Sequence, residues 1–458
     1  SFLISSSKNS RIYLFLIMRN AILVLCLSVL FGNVTSAQQV TFEEFTLDNG
    51  LHVILHQDKS APVIITSVMY HVGTKNENPN RTGFAHFFEH LLFEGTKNIK
   101  RGEWMKIVSG NGGINNANTS VDRTYYYEVF PSNNLELGLW MEAERMLHPV
   151  INQIGVDTQK EVVKEERRLK LDNQPYGHFI KEVKSHLFFK HPYRWDIDGS
   201  MDHIDAATLE EFQAFHKKFY VPNNAVLVVA GNFETAQAKQ WIKKYFNPIK
   251  KGATVENINI TEEPISQTIK ARFEDANIQI PGIVAAYRTP SMKTRDARVL
   301  ELISTLLSEG KSSRLYKKIV DDKKMALQIG AFTMNQEDYG MYILYGLPLG
   351  QNSTESILNE IDEEIVKLQT NLISERDFQK LQNTIENDFV NNNATIEGVA
   401  ENLASYYLLH GDINLINTDI EMYRSITREE IMSVAKKYLN PSQRLLLDYV
   451  PANEKPKN

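Results

Sequence analysis

Residues 208–231, TLEEFQAFHKKFYVPNNAVLVVAG, recur in altered form as TREEIMSVAKKYLNPSQRLLLDYV at residues 427–450. Both segments begin with Thr-x-Glu-Glu, continue with Lys-Lys-aromatic and reach a proline that precedes an apolar run. Each segment therefore predicts a helix, a stop and a buried strand. LLFEG at residues 91–95 and LLSEG at residues 306–310 repeat at nearly the same offset, which indicates an internal duplication.

The duplication predicts two halves of the same design. We expect a first domain at residues 41–246, a polar linker at residues 247–264 and a second domain at residues 265–450. Each half opens with strand-like stretches and continues with long amphipathic helices. The predicted fold class is α+β, with two homologous domains that each form a mostly antiparallel sheet covered by helices.

The composition is that of a globular protein, with 42% hydrophobic residues and a formal net charge of -6. This charge argues against a nucleic-acid partner. We expect residues 1–37 to contain an upstream extension and, from Met18, a secretory signal peptide, because Arg19 precedes a short apolar run and small residues. The predicted location is secreted or periplasmic, with mitochondria as the alternative. The apolar run is too short for a permanent membrane anchor.

The chain has one cysteine, Cys26, which lies in the predicted signal peptide. The remaining chain has no thiol to act as a nucleophile, to form a disulfide or to bind zinc. Any metal site must therefore be built from His, Asp or Glu.

The segment GFAHFFEHLLFEGT at residues 83–96 places His86, Glu89 and His90 on one face of a predicted helix. Two imidazoles one turn apart can bind one divalent cation, and zinc suits nitrogen and oxygen ligands best. Glu89 is placed to take a proton from water during metal-assisted hydrolysis. A solvated histidine pair is the alternative, but the apolar flanks make uncompensated polar groups costly.

A third ligand is expected from DTQKEVVKEERRLKLDN at residues 157–173. We expect Thr158 and Glu161 to form a capping box that starts the helix there. Glu166 then lies on the apolar stripe of this helix, whereas Glu165 lies on its solvated face. The stripe consists of Val162, Val163 and Leu169. Glu166 is the predicted third ligand, with an ion pair to a core Arg or Lys as the alternative.

The order H-x-x-E-H and the distant glutamate resemble the inverzincin family of pitrilysin, insulin-degrading enzyme and mitochondrial processing peptidase. GGINNANTSVDRTYYYEVFP, VVKEERR, HPYRWDIDGS and LLSEGKSSRLYKKI follow in the order of that family. The resemblance covers residues 41–450. It implies a zinc endopeptidase with one zinc ion per chain, ligands His86, His90 and Glu166, and Glu89 as general base.

The resemblance implies further roles outside the ligand set. Asn116 and Ala117 match the edge strand on which such enzymes pair an extended peptide. Gln159 stands where family members often carry an outer-shell glutamate, so we expect weaker zinc binding here. In the second half, the duplication offset places Glu301, Ser304 and Thr305 at the positions that His86, Glu89 and His90 hold in the first half. The second half is therefore predicted to bind no metal.

The resemblance also implies partners. Besides the peptide substrate, we expect a homodimer or a heterodimer with a related metal-free subunit, because longer relatives join two such pairs of domains. The alternative function is that of a non-catalytic core or assembly subunit. Such a subunit should lack a complete set of ligands and base, which this chain retains.

Overall fold

The computed structural model describes residues 39–452, so the predicted signal peptide and Cys26 lie outside the described residues. A six-stranded sheet in the first half has the order β1-β2-β6-β3-β5-β4, and a five-stranded sheet in the second half has the order β7-β11-β8-β10-β9. The strands are β1 Glu43–Thr46, β2 His52–Gln57, β3 Val63–Tyr70, β4 Ile114–Thr119, β5 Thr124–Pro131, β6 Ala225–Gly231, β7 Ile269–Asp275, β8 Gly282–Pro290, β9 Ala326–Met334, β10 Tyr339–Pro348 and β11 Arg444–Pro451.

Helices surround both sheets. In the first half they are α1 Phe84–Leu91, α2 Trp104–Gly110, α3 Leu135–Leu147, α4 Gln153–Arg167, α5 Phe179–Leu187, α6 Met201–Ala206, α7 Leu209–Phe219 and α8 Thr235–Phe246. In the second half they are α9 Arg295–Ser308, α10 Thr354–Thr370, α11 Glu375–Asn392, α12 Ile396–Ser405, α13 Leu415–Arg424 and α14 Arg428–Tyr438. Over the span 39–452, no helix has both the length and the apolar character that a membrane span requires.

The two sheets repeat one topology. In the first sheet β2 pairs parallel with β6, and in the second sheet β7 pairs parallel with β11, whereas the other pairs that the structure describes are antiparallel. Strands β6 and β11 therefore hold the same place in the two halves, as do the edge strands β4 and β9. The predicted α+β class with a mostly antiparallel sheet in each half is confirmed.

The repeated segments fold alike. The hydroxyl oxygen of Thr208 accepts from the backbone N–H of Glu211, whose side chain accepts from the backbone N–H of Thr208, and α7 begins there. Thr427 and Glu430 form the same reciprocal pair at the start of α14. Both predicted helices are present, each begins with a capping box, and each leads into its predicted buried strand, β6 or β11.

Each sheet is covered on one face by helices of its own half and on the other by a helix of the other half. Helix α12 of the second half packs on β3 and β6, and α5 of the first half packs on β8 and β11. Consequently all seven residues of β6 are buried. Along β11, Leu445, Leu447 and Tyr449 share a core with α5, whereas Leu446 faces the core of the second half. The alternation arises because successive side chains of a strand point to opposite faces.

Ion pairs join the halves at a buried junction. The ammonium of Lys75 lies 3.0 Å from Asp122 of its own half and 2.7 Å from Glu337 of the other half. His71 lies 2.7 Å from the same Glu337 carboxylate. These contacts hold the pKa of Glu337 at about 2, against the effect of its burial. A buried charge is tolerated when it is paired in this way.

Residues 250–266, within the predicted linker and just beyond it, contain neither helix nor strand. One carboxylate oxygen of Glu262 accepts hydrogen bonds from three successive backbone N–H groups of the first half, those of Phe189, Lys190 and His191, at 2.6–2.9 Å. The connecting segment is therefore anchored near its end.

Candidate metal centre

Helix α1 carries His86, Glu89 and His90, and a buried carboxylate fixes its start. Glu77 accepts hydrogen bonds of 2.9 Å from the backbone N–H groups of Gly83 and Ala85, which occupy the first turn. Burial raises the pKa of Glu77 to about 8, although these hydrogen bonds oppose the rise. The N–H groups of a first helical turn have no partner within the helix, so Glu77 supplies one.

The apolar face of α1 packs against α7, the first helix of the repeated segment. The rings of Phe84 and Phe87 stack on Phe212 of α7, with centroid separations of 4.5 and 4.4 Å. The phenylalanines that flank the histidines thus anchor the helix. The histidines and Glu89 lie on its other face.

The third predicted ligand lies on α4, which begins earlier than expected. The helix starts at Gln153, where the side-chain oxygen of Asn152 accepts from the backbone N–H of Gly155 at 2.9 Å. The predicted start at Thr158 and Glu161 is wrong. Thr158 lies inside the helix, and its hydroxyl donates to the carbonyl of Ile154 four residues earlier. Asn152 is the effective cap because an Asn side chain satisfies the first free N–H groups of a helix well.

The predicted apolar stripe around Glu166 is only partly buried. Val163 is 3% exposed, but Val162 and Leu169 are 41% and 55% exposed, so the expectation of a buried stripe is wrong for these two residues. Glu165 lies on the exposed surface, as predicted, and pairs there with Arg168. The helical period shows which residues share a face but not whether another element covers it.

Three side-chain atoms of α1 and α4 converge. Nε2 of His90 lies 3.3 Å from Nε2 of His86, and Oε2 of Glu166 lies 2.8 Å from the former and 3.6 Å from the latter. Across residues 39–452, no other three His, Cys, Asp or Glu side chains come together closely enough to hold a metal ion. Glu166 Oε2 is buried and has no hydrogen-bond partner of good geometry.

These atoms suit zinc. Two ligands of a tetrahedral zinc ion, each about 2.0–2.1 Å from the metal, stand about 3.3 Å apart. The separation of the two nitrogens matches this value, and the two separations to the carboxylate oxygen lie on either side of it. Two imidazole nitrogens and one carboxylate oxygen form a donor set that zinc accepts.

The electrostatics of the cluster favour an ionised Glu166 beside a neutral His86. The contact with His90, followed by the ammonium of Lys170, lowers the pKa of Glu166 to about 2 against the effect of burial. Burial, with the neighbouring His90, lowers the pKa of His86. An ionised carboxylate and neutral imidazoles are the forms that bind a metal.

The structure brings a further carboxylate to this cluster. Asp198, in the loop before α6, places Oδ1 3.1 Å from Nδ1 of His86. Burial, together with the nearby charge of Asp196, raises the pKa of Asp198 to about 6. No sequence pattern points to Asp198, because the contact joins segments far apart in the chain and follows no helical or strand period.

Glu89 is tied to the edge of the first sheet. The hydroxyl of Thr119, the last residue of β4, donates to Oε2 of Glu89 at 2.7 Å. Asn116 and Ala117 lie on the same strand, which forms one edge of its sheet. The side-chain oxygen of Asn116 accepts from the backbone N–H of Ala117 at 2.9 Å. The predicted peptide-binding strand therefore ends at the predicted base.

Gln159 of α4 lies against a carboxylate that follows α1 in the chain. Its amide donates to Glu94 at 2.5 Å, and Glu94 follows His90 by four residues on the chain. Glu94 also pairs with Arg101. The structure thus places Gln159 against a carboxylate near the helix that carries the histidines.

In the second half, Glu301, Ser304 and Thr305 lie together on α9. Glu301 is engaged by hydrogen bonds, one from the hydroxyl of Tyr423 and one of 3.0 Å from the amide of Asn335. The position that corresponds to His86 therefore holds a partly buried, hydrogen-bonded carboxyl group.

Comparisons with known proteins match both halves. Residues 52–194 match the family model described as Insulinase (Peptidase family M16), and residues 206–385 match the model described as Peptidase M16 inactive domain. The zinc protease PqqE of Helicobacter pylori is 30% identical over 404 residues, which cover 88% of this chain and 91% of that protein.

Solved structures share the fold. The crystal structure of a protease from Helicobacter pylori matches with a TM-score of 0.86 at 30% identity, over 90% of this chain and 100% of that chain. The periplasmic protease PqqL from Escherichia coli matches with a TM-score of 0.76 at 18% identity, over 91% of this chain and 48% of that chain. The chain thus has the fold of about half of PqqL.

Proposed function

Since the chain belongs to the insulinase family of peptidases, family M16, we propose that it is a zinc-dependent endopeptidase. Its substrates are peptides or unfolded segments bound in extended form. The proposed ligands of one zinc ion per chain are His86, His90 and Glu166, and the proposed general base is Glu89. The observation that carries the proposal is the convergence of three ligand atoms within 4.8 Å of one another on helices α1 and α4.

The neighbouring residues account for the chemistry. His86, His90 and Glu166 would hold the zinc ion, which would supply a water molecule of lowered pKa and a Lewis acid for the peptide carbonyl. Glu89 takes the proton of the attacking water and delivers it to the amine that leaves. The hydroxyl of Thr119 holds one oxygen of Glu89, which leaves the other oxygen to carry the proton.

The edge strand β4 suggests how a substrate is held. An extended peptide can add to a sheet edge by backbone hydrogen bonds. Strand β4 pairs with β5 on one side and ends at Thr119, in contact with Glu89. A peptide that pairs along Asn116 and Ala117 is thereby led to the base. The hydrogen bond from Ala117 to the Asn116 side chain must open when that backbone N–H is used.

A partner subunit belongs to the same proposal. The fold of this chain corresponds to about half of a longer one. We propose that a second copy, or a related subunit without metal ligands, faces the metal site and completes the substrate chamber. Cleavage by the isolated chain should then depend on protein concentration.

The substitution Glu89→Gln tests the function. The variant should retain one zinc ion per chain and lose about 100-fold or more of its peptide cleavage, because the base is removed and the ligands remain. Glu165→Gln, a change of an exposed glutamate on α4, is the matched control and should keep both properties. Metal analysis and digestion of an unfolded peptide at several protein concentrations provide the measurements.

Two results would contradict the proposal. Cleavage by Glu89→Gln at the rate of the parent would remove Glu89 from the mechanism. Stoichiometric zinc without cleavage at any concentration, with or without a candidate partner, would instead favour the non-catalytic subunit. The complete set of ligands and base argues against that second function.

A further inference from the structure

We propose that Asp198 is a positioning residue that orients His86 for metal binding by accepting the proton of its Nδ1 nitrogen. The inference deepens the proposed function and rests on it, since it takes His86 as a zinc ligand. The chemistry needed is a hydrogen-bond acceptor beside the ring nitrogen that does not face the metal.

The two nitrogens of His86 face different carboxylates. Nδ1 lies 3.1 Å from Oδ1 of Asp198, whereas Nε2 points into the cluster with His90 and Glu166. A neutral imidazole carries one proton, and an acceptor at Nδ1 favours the tautomer that has the proton there. The lone pair of Nε2 is then free for the metal. A carboxylate behind a ligating histidine also raises its basicity.

The loop that carries Asp198 is fixed to both helices that carry ligands. The carbonyl of Gly199 accepts a 3.0 Å hydrogen bond from the guanidinium of Arg167, the residue after Glu166. The backbone N–H of Ser200 donates to the hydroxyl of Thr82, just before α1, at 3.0 Å. Asp198 therefore keeps its position relative to α1 and α4 at the same time.

Backbone contact tightens this arrangement. Gly199 has a φ of +62°, and a Cβ there would lie 2.2 Å from the backbone nitrogen of Gly83. The start of α1 and the loop thus touch main chain to main chain. Only a residue without a side chain permits such an approach. A loop held this firmly can restrict the ring of His86, which a mobile surface carboxylate could not do.

A second carboxylate of the same loop offers a matched control. Asp196 interacts electrostatically with the buried ammonium of Lys184 and lies two residues from Asp198. It has the same charge and the same loop, but its partner is not a metal ligand. Its charge also raises the pKa of Asp198, so the comparison is made at about pH 8, where Asp198 is ionised with or without it. An effect specific to His86 should therefore appear in Asp198 variants and be absent from Asp196→Asn.

The test compares Asp198→Ala, Asp198→Asn and Asp196→Asn in the full chain. Zinc affinity is measured by competition with a chelator, and the tautomer of His86 by proton–nitrogen correlation spectra of the metal-free, histidine-labelled protein. Asp198→Ala should weaken zinc binding about 10- to 100-fold and abolish the preference for the Nδ1–H tautomer. Asp198→Asn, which retains an acceptor oxygen, should restore much of both. Asp196→Asn should change neither.

The outcomes separate the two proposals. Parental zinc affinity and an unchanged tautomer in Asp198→Ala, with one zinc bound by the parent, would overturn the role of Asp198 and leave the metal site intact. Equal loss in Asp198→Asn and Asp198→Ala would show that charge, and not an acceptor at Nδ1, is what matters. Absence of zinc from the parent protein would overturn the proposed function, and the inference with it.

Discussion

Replacement of Gly199 by alanine should destabilise the protein and weaken the metal site together. At a φ of +62° an alanine costs about 1–2 kcal/mol relative to its usual conformations. The reduced freedom of the unfolded chain offsets about 0.4–1 kcal/mol of this cost. The new Cβ would also lie 2.2 Å from the nitrogen of Gly83 and 2.4 Å from the carbonyl carbon of Thr82, so main chain must move. Overpacking of this kind adds about 1–3 kcal/mol.

Gly102 provides a control for the cost of placing an alanine at a positive φ without a close contact. It has a φ of +77°, and a Cβ there would meet no atom within 4 Å. Gly102→Ala should therefore lose only the net backbone cost, about 0–1.6 kcal/mol. The difference between the two variants isolates the contact between the loop and the start of α1.

The measurements are the free energy of unfolding from urea denaturation and the zinc affinity from chelator competition. Gly199→Ala should be less stable than Gly102→Ala by about 1–3 kcal/mol and should bind zinc more weakly, because the loop carries Asp198. Equal destabilisation in the two variants would refute the close contact. A large destabilisation with parental zinc affinity would refute the link between this contact and His86.

Further changes test the ligands, a buried histidine and a cap. His90→Ala should lose zinc and cleavage together, and stoichiometric zinc in that variant would count against the ligand set. Glu166→Ala should also lose zinc, whereas Glu165→Ala should keep it in the same metal analysis. Burial lowers the pKa of His216 to about 4 in the folded protein, whereas the imidazole of the unfolded chain has a pKa of about 6.5. As the pH falls below about 6.5, the unfolded chain therefore binds a proton that the folded protein does not bind. Between pH 7 and pH 4 the parent should therefore lose about 3 kcal/mol more of its free energy of unfolding than His216→Phe does. An equal change in the free energy of unfolding of both proteins, measured by urea denaturation over this range, would contradict the burial of a neutral His216. Thr427→Ala should cost about 1 kcal/mol in urea denaturation through loss of the cap of α14, and an unchanged midpoint would show that the capping box adds no stability.

Local signals in the sequence predicted the repeated parts of the fold well. The capping boxes at Thr208 and Thr427 depend on residues three positions apart, and the apolar strands that follow them are continuous in the chain. The same type of signal failed at Thr158, because a better cap lies six residues earlier at Asn152. A capping pattern shows that a helix can start at a residue, but competing caps decide whether it does.

The candidate site could be predicted only in part for a related reason. The histidines lie one helical turn apart, so their convergence follows from the period of the helix. The contacts of Asp198 and Thr119 with this cluster depend on how loop, sheet and helix pack, and no residue spacing encodes them. The exposure of Val162 shows the same limit, since burial depends on what lies opposite.

Helices α5 and α12 each cover the sheet of the opposite half, and this arrangement determines how the two halves could be separated. A single cut within residues 250–266 would leave each sheet with one face still sheltered by a helix from the opposite fragment. The two fragments should therefore elute together from a sizing column in native buffer and separate only in denaturant. The packing of α5 and α12, and not the connecting peptide, should then hold the two halves together.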